Sequence, residues 1–240
     1  MSTILNKLKD NNEYYHGVGK QYLSNSDIGA LLNNPKLFGI SREDDINLAK
    51  GRLFHEMLLE PDKVNDFPVI DVSSRNTKKY KEALTDDIPF MLLTKDVNEV
   101  NGYVDAVNGN FDFWSLISGS EHEVPAIGEF FGVQWKGKAD IVTDTDIYDL
   151  KTTRSIKEFR YSARRYNYDS QAYIYQQLFD KPMTFLVVCK ETLQTGSFNC
   201  SDEFIAGGEE KVKRAVEVYN RFFGPDSDED INSYYITDTL

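Results

Sequence analysis

The stretch 137–153, GKADIVTDTDIYDLKTT, constrains the fold more than any other part of the chain. It holds two short runs rich in β-branched residues, separated by Thr143-Asp144-Thr145-Asp146, a composition that favours a turn. Side chains alternate faces along a strand, so Asp149 and Lys151 share one face while Tyr148 and Leu150 share the other. A hairpin over the 143–146 turn brings Asp140 beside Asp149. Two carboxylates and a lysine at one sheet end suit a hard divalent cation. Such a cation can orient a phosphate, activate a water and neutralise a leaving oxygen. The lysine is placed to position or deprotonate that water. The pattern is short, however, and a solvated hairpin with an ordinary Asp–Lys pair fits the same spacing.

Upstream, the signals are helical. Ser24-Asn25-Ser26-Asp27 offers N-caps ahead of Ile28, Leu31 and Leu32, and Pro35 limits that helix. A second helix is expected from about Ile46 to Leu59, stopping at Pro61. Ile46, Ala49, Leu53 and Met57 form one stripe, and Leu48, Gly51, His55 and Leu59 another, the pattern of a helix buried on two sides. Residues 75–84 read as a basic, exposed helix start and 94–108 as helix. Segments 121–127, 129–143 and 146–153 read as an antiparallel meander. Residues 156–180 read as one helix, 184–190 as a buried strand and about 208–222 as a last helix closed by Gly224-Pro225. Helices, meander, helix, strand and helix in that order make an α/β or α+β sandwich. The expected organisation is a flexible N-terminal segment over 1–21, one domain over 22–224 and an acidic tail over 225–240.

Composition narrows the function classes. Cys189 and Cys200 are the two cysteines, which excludes a disulfide framework and a four-cysteine zinc or iron–sulfur site within the chain. The longest apolar runs are too short to span a bilayer, and MSTILNKLKD lacks the apolar stretch of a signal peptide. A cytoplasmic location and no membrane partner are the expectation. Net charge is −12, against the usual basic balance of a nucleic-acid binder. Cations nevertheless cluster after Lys151: Arg154, Lys157, Arg160, Arg164 and Arg165 face Glu158 alone, with Tyr161, Tyr166 and Tyr168 nearby in sequence. Basic side chains hold phosphates and aromatics stack on unpaired bases. Arg75, Lys78, Lys79 and Lys81 form a second patch. A solvated helix face paired to the acidic excess gives the same charge pattern.

GKAD followed by DLKTT resembles the core of the PD-(D/E)XK nuclease superfamily. Within it the chain resembles the exodeoxyribonuclease VIII-like exonucleases, often carried by phages, and their lambda-exonuclease and RecB-nuclease relatives. Further segments agree in order. Tyr22-Leu23-Ser24-Asn25-Ser26 with Leu31-Leu32-Asn33-Asn34-Pro35 is similar to that family's N-terminal helix. The segment 51–61, GRLFHEMLLEP, is similar to its G-x-x-x-H-x-x-x-L-E-P segment, and Gln171-Ala172-Tyr173-Ile174-Tyr175 to its Q-x-x-x-Y motif. One departure is Lys138-Ala139 before Asp140, where the family often has a basic residue and Pro.

The resemblance implies a restriction-endonuclease-like core, a mixed central sheet flanked by helices. It implies Asp140 and Asp149 as metal ligands, Lys151 as the catalytic lysine, and His55 with the Leu150 carbonyl as further ligands. His55 by itself also fits a hydrogen-bonded core histidine. Gln171 and Tyr175, one turn apart on a helix, would shape the site or contact DNA. A further acidic ligand is expected from the strand before Asp140. Glu123 is preferred, with Glu121 and Glu129 as alternatives. The implied activity is an exodeoxyribonuclease using one or two Mg²⁺ or Mn²⁺, running 5′ to 3′ from duplex ends in recombination or end processing. A ring-shaped homo-oligomer, a single-strand annealing partner and a phage or prophage origin are implied on the same ground. Two rivals stand beside it: an endonuclease or structure-specific nuclease with the same site, and a non-catalytic DNA-binding module.

Overall fold

A computed structural model of the protein describes residues 2–40, 45–227 and 229–237. The chain runs α1 (Ser2–Leu8), α2 (Asn11–Tyr15), α3 (Asn25–Asn33), α4 (Ile46–Leu59), β1 (Val69–Ile70), α5 (Lys78–Ala83), β2 (Leu92–Leu93), α6 (Thr94–Asn108) and α7 (Phe111–Ser118). Then come β3 (Glu121–Phe130), β4 (Val133–Val142), β5 (Ile147–Thr153), α8 (Phe159–Arg165), α9 (Tyr168–Phe179), β6 (Met183–Cys189), β7 (Thr195–Asn199) and α10 (Asp202–Phe222). The main sheet has the order β3-β4-β5-β6-β7, antiparallel except for the parallel β5–β6 pair. β1 and β2 pair separately in parallel. This is the expected α/β architecture, a mixed sheet flanked by helices.

β6 fixes the layers. All of its residues are buried, as a strand covered on both faces requires. Leu186 and Val188 join Ile141 and Leu150 against α4, α6 and α7. Met183, Phe185 and Val187 join Ile147 and Ala139 against α8 and α9. Trp135, fully buried, centres a further cluster with α3, α9 and α10. Along β5, Leu150 therefore lies in one layer, and Asp149 and Lys151 point toward the other, as the alternation requires.

Several boundaries differ from expectation, each for a local reason. β3 runs through Gly128 to Phe130, and the turn lies at Phe131-Gly132, where both residues have positive φ, as a two-residue hairpin favours. The span 156–180 is two helices, because Asn167 takes a left-handed conformation (φ 59°) between α8 and α9, which Asn tolerates. α4 is not buried on two sides. Ala49, Leu53, Phe54, Leu58 and Leu59 are buried, whereas Leu48 is exposed. α10 begins at Asp202, not near 208, with Ser201 capping the Phe204 N–H. Its Gly208 gives close packing on α9. A Cβ on Gly208 would lie 2.1 Å from the Asp169 carbonyl oxygen.

The N-terminal segment is the largest correction. Residues 2–21, expected to be flexible, form α1, α2 and a 3₁₀ turn packed on the sheet. Leu8 is fully buried and Tyr14 nearly so. The tail also folds back in part: Arg221 pairs with Glu229 (2.6 Å), and the Tyr234 ring meets Phe222 edge-on. Residues 228 and 238–240 of the expected tail lie outside the described residues.

Gly208→Ala drives a methyl group into α9 backbone, so it should destabilise the protein by about 1–3 kcal/mol. Calorimetry should show a drop of roughly 2–12 °C in Tm for a chain of this size. Gly51→Ala meets nothing within 4 Å and should leave Tm unchanged or raise it slightly, since Ala favours a helix interior.

Candidate active site

β4 and β5 pair only through Ile141–Tyr148 and Val142–Ile147, next to the 143–146 turn, and then part. The parting strips the Leu150 N–H of a β4 ladder partner. The Asp140 carboxylate takes its place, with Oδ2 accepting from Leu150 N at 2.7 Å. Asp140 and Asp149 are thereby fixed at the fork, both buried. Helices from the two layers close on it. α4 brings His55, whose Nδ1 lies 3.3 Å from Asp140 Oδ2. α9 brings Gln171, whose Nε2 donates to Asp149 Oδ2 at 2.5 Å. Lys151 pairs with Asp149 Oδ1, and its ammonium lies 4.9 Å from the centre of the Tyr168 ring. β3 brings Glu123, in the register position opposite Asp140 and with a left-handed backbone (φ 49°). Such a conformation in a non-glycine residue costs of order 1 kcal/mol or more and gathers at functional sites. Ligand atoms of His55, Glu123 and Asp140 all lie within 4.8 Å of one another.

Three carboxylates crowded out of water perturb one another. Burial, reinforced by Asp140, pushes Glu123 up to about 7. Burial and Asp140 together push Asp149 up to about 6, against the pull of Lys151. Burial also opposes ionisation of Asp140, but His55, Lys151 and the Leu150 N–H outweigh it and hold that carboxyl below its ordinary value. Burial disfavours charge on His55, yet Asp140 and Asp149 prevail and lift its pKa to about 9. Lys151 is likewise raised, because Asp149 overcomes its burial. A cluster that protonates to relieve its own charge is one that a divalent cation would relieve better. The several carboxylate oxygens fit the donor preferences of Mg²⁺ or Mn²⁺, and the imidazole is the softer donor of the set.

Seven of the residues expected from sequence thus meet: His55, Glu123, Asp140, Asp149, Lys151, Gln171 and, one layer out, Tyr175. Leu150 reaches the cluster through its N–H. Tyr175 does not face open space. Its hydroxyl donates to the Lys138 carbonyl (2.9 Å) and its ring lies under Gly137, so it clamps β4 rather than reaching outward. Glu121 and Glu129 are exposed elsewhere on β3, the latter accepting from Gln134.

The basic run does not form one patch. A cleft of about 800 Å³ opens between α4 and the β5–α8 connection, walled by Gly51, Thr152, Arg154, Arg165, Tyr166 and Tyr168. Arg154 and Arg165 line it, whereas Arg160 and Arg164 line a separate aromatic pocket with Phe198 and Phe204. α8 is a helix, so its cations point to different sides. Arg154 pairs with Glu191 and Arg164 with Glu203. Lys157 is exposed. In the second patch, Lys78 pairs with Glu82, Lys79 donates to the Asp71 carbonyl, and Arg75 is committed to buried Asp96.

The sequence reading missed a neighbour of the cluster. Lys138, nearly buried, lies 3.6 Å from Glu123, donates to Asn11 and stacks over the Tyr14 ring. Lys136 donates to the Tyr14 carbonyl and lies over the same ring. The signal was present: lysines at alternate positions before Asp140, flanked by Trp135 and Ala139, face one way and need buried partners.

Residues 35–227 match the family model described as a PDDEXK-like domain of unknown function, DUF3799. A crystal structure from Eubacterium rectale, provisionally described as an exonuclease, superposes with a TM-score of 0.68 at 18% identity. It covers 96% of this chain and 95% of its own, and it shows the fold. A phage-related exonuclease from Haemophilus somnus 129PT aligns at 16% identity over 72% of this chain and 92% of its own; its TM-score of 0.31 carries no argument. No curated protein matches the chain.

The perturbed groups set a pH test. Glu123 and Asp149 bind protons more tightly in the fold. Their contribution is full below about 4 and is lost as pH rises through about 6 and 7. That of His55 is full below its ordinary 6.5 and is lost as pH rises through about 9. Asp140, lowered, contributes above its ordinary value and loses only toward acid. In EDTA, Tm should therefore fall from pH 5 to pH 9. Mn²⁺ at pH 8 should recover it in wild type and not in Asp140→Asn; a flat profile with no Mn²⁺ response would discard the site as a cation centre.

Proposed function

Because the chain belongs to the PDDEXK-like DUF3799 family, within the PD-(D/E)XK nuclease superfamily, we propose that it is a metal-dependent deoxyribonuclease, a 5′-to-3′ exonuclease on duplex DNA ends. The observation that carries this reading is the fork between β4 and β5, where Asp140, Asp149 and Lys151 converge with His55 and Glu123. His55, Glu123, Asp140 and Asp149, with the Leu150 carbonyl, would hold Mg²⁺ or Mn²⁺. Bound there, the cation would lower the pKa of a water and neutralise charge on the phosphate.

The chain's own residues do the rest. Lys151, held on Asp149, offers ammonium N–H groups to a water or a phosphate oxygen beside the cluster. Gln171 fixes Asp149 by occupying Oδ2, which leaves Oδ1 to Lys151 and the reacting centre. Tyr175 pins β4 at Lys138 and so sets where Asp140 stands. Both are positioning residues; placement to within a fraction of an ångström is where much of the rate arises. Arg154, Arg165 and Tyr166 line the adjoining cleft and supply phosphate and base contacts. A homo-oligomeric ring, a single-strand annealing partner and a cytoplasmic location belong to the same reading. Among the described residues no helix is long and apolar enough to cross a membrane.

The test is digestion of linear and covalently closed circular duplex with Mg²⁺, Mn²⁺ or EDTA, beside Asp149→Ala and Lys151→Ala. Loss of linear DNA alone, with metal and from the 5′-labelled end, and a drop of roughly 100-fold or more in both variants, is the expected result. Nicking or linearisation of the circle would replace the exonuclease with an endonuclease. DNA binding without any cleavage would favour a non-catalytic module.

A further inference from the structure

The catalytic reading leaves the N-terminal segment without a task, yet the structure anchors it tightly beside the cluster. Tyr14 is buried under two lysines of β4, at 4.3 Å and 4.9 Å from its ring centre. Lys136 holds its carbonyl, and Lys138 bridges Asn11 to Glu123. Gly19 closes the arrangement from behind: a Cβ there would lie 1.9 Å from the Tyr14 carbonyl oxygen. A buried lysine spent on holding a surface segment is costly unless the segment's placement matters.

What this anchoring presents is Tyr15. Its ring meets Tyr14 edge-on at 5.0 Å, and its surface is 58% exposed. Its phenol also feels the charges of the cluster. Burial and the charges of Glu123 and Asp140 raise it, with Arg52 of α4 pulling the other way. Tyr15 thus stands exposed next to Tyr14, on the segment that Lys138 ties to Glu123 through Asn11 and that Lys136 holds at the Tyr14 carbonyl. Tyrosines held in this way supply stacking surface at small entropic cost.

Resting on the nuclease reading, we infer that Tyr15 is a substrate-contacting residue, its ring stacking on the nucleotide next to the phosphate held at the cluster. Residues 2–21 are then a fixed wall of the active site. The contact is with a base or sugar face, so it tolerates sequence and selects a nucleic-acid chain over a lone phosphate ester.

The experiment compares wild type, Tyr15→Phe, Tyr15→Ala and Asp149→Ala. Binding of an end-labelled duplex in Ca²⁺ and cleavage kinetics in Mg²⁺ are measured for each, with Mn²⁺ titration by calorimetry. Tyr15→Ala should lose roughly 5- to 150-fold in DNA affinity, the range for one base–aromatic stack, with KM rising in step. Its Mn²⁺ affinity and Tm should stay at wild-type values, and Tyr15→Phe should behave as wild type. If wild type cuts DNA and Tyr15→Ala matches it in affinity and KM, the inference is overturned and the nuclease reading stands. If Tyr15→Ala instead loses Mn²⁺ affinity or Tm in proportion, the residue is structural and the inference is overturned too. A wild-type protein that neither binds nor cuts DNA overturns both.

Discussion

The carboxylate of Asp140 closes a gap that the sheet leaves open. Where β4 and β5 part, two strands lose their mutual hydrogen bonds inside a buried core, and an orphan N–H there costs about 1–3 kcal/mol. Asp140 Oδ2 takes the Leu150 N–H and at the same time meets His55. One side chain thus satisfies the fork, docks α4 onto it and places a negative charge at its centre. The other groups follow from that placement. Asp149 and Lys151 are one strand away by pleat geometry, and Gln171 and Tyr175 lie one helical turn apart on the covering helix, each bonded to an opposite arm of the fork.

That economy has a cost, and the structure shows where it falls. Glu123 faces Asp140 across β3–β4 with a left-handed backbone, and it is held protonated up to about 7 by burial and by its neighbour. Lys138 offsets part of the charge at 3.6 Å. The lysine is in turn buried, and it draws Asn11 and the Tyr14 ring over itself. Those partners come from the first residues of the chain, ahead of residue 35 where the family match starts. A chain of compensation therefore runs from the acidic fork to the N-terminal helices: carboxylates need a cation, the buried cation needs acceptors and a ring face, and the segment that supplies them is fixed beside the site.

The sequence was most legible where one period decides the answer. Alternation over 147–153 put Asp149 and Lys151 on one face, and the polar 143–146 stretch marked the turn that returns Asp140 to them; Thr143 N–H bonds the Asp146 carbonyl there. Four-residue spacing put Gln171 and Tyr175 on one side of α9. It was least legible where burial depends on residues far away in the chain. Residues 1–21 look loose because few of them are apolar, and Tyr14 is covered by lysine stems from β4, 122 positions on for Lys136. The first turns of α10, from Asp202, are missed because the α9 backbone that packs on Gly208 cannot be seen from local sequence. The basic run over 151–165 looks like one surface because charge can be counted along a chain, whereas a helix distributes it around an axis. Arg160 and Arg164, four residues apart on α8, share one side and face an aromatic pocket, whereas Arg165 points another way and shares the cleft with Arg154.

This distribution bears on how a chain of net charge −12 could hold a polyanion at all. Several of its cations stand against acids: Lys50 against Asp96 and Glu99, Arg154 against Glu191, Arg164 against Glu203, Arg221 against Glu229. To contact a phosphate, each must exchange one anion for another, so the net gain per contact is small and the counterion release that drives tracking along duplex is weak. A long electrostatic footprint is thus unfavourable, and recognition has to be concentrated. On the proposed nuclease reading it concentrates at the fork, where a bound divalent cation would convert a surplus of buried carboxylates into a phosphate site. Aromatic surfaces flank that point, Tyr15 on the N-terminal side and Tyr166 and Tyr168 in the cleft. Stacking does not depend on net charge. On the proposed nuclease reading, an acidic protein that meets nucleic acid through metal and aromatic contacts at one place would suit an end rather than a length of duplex.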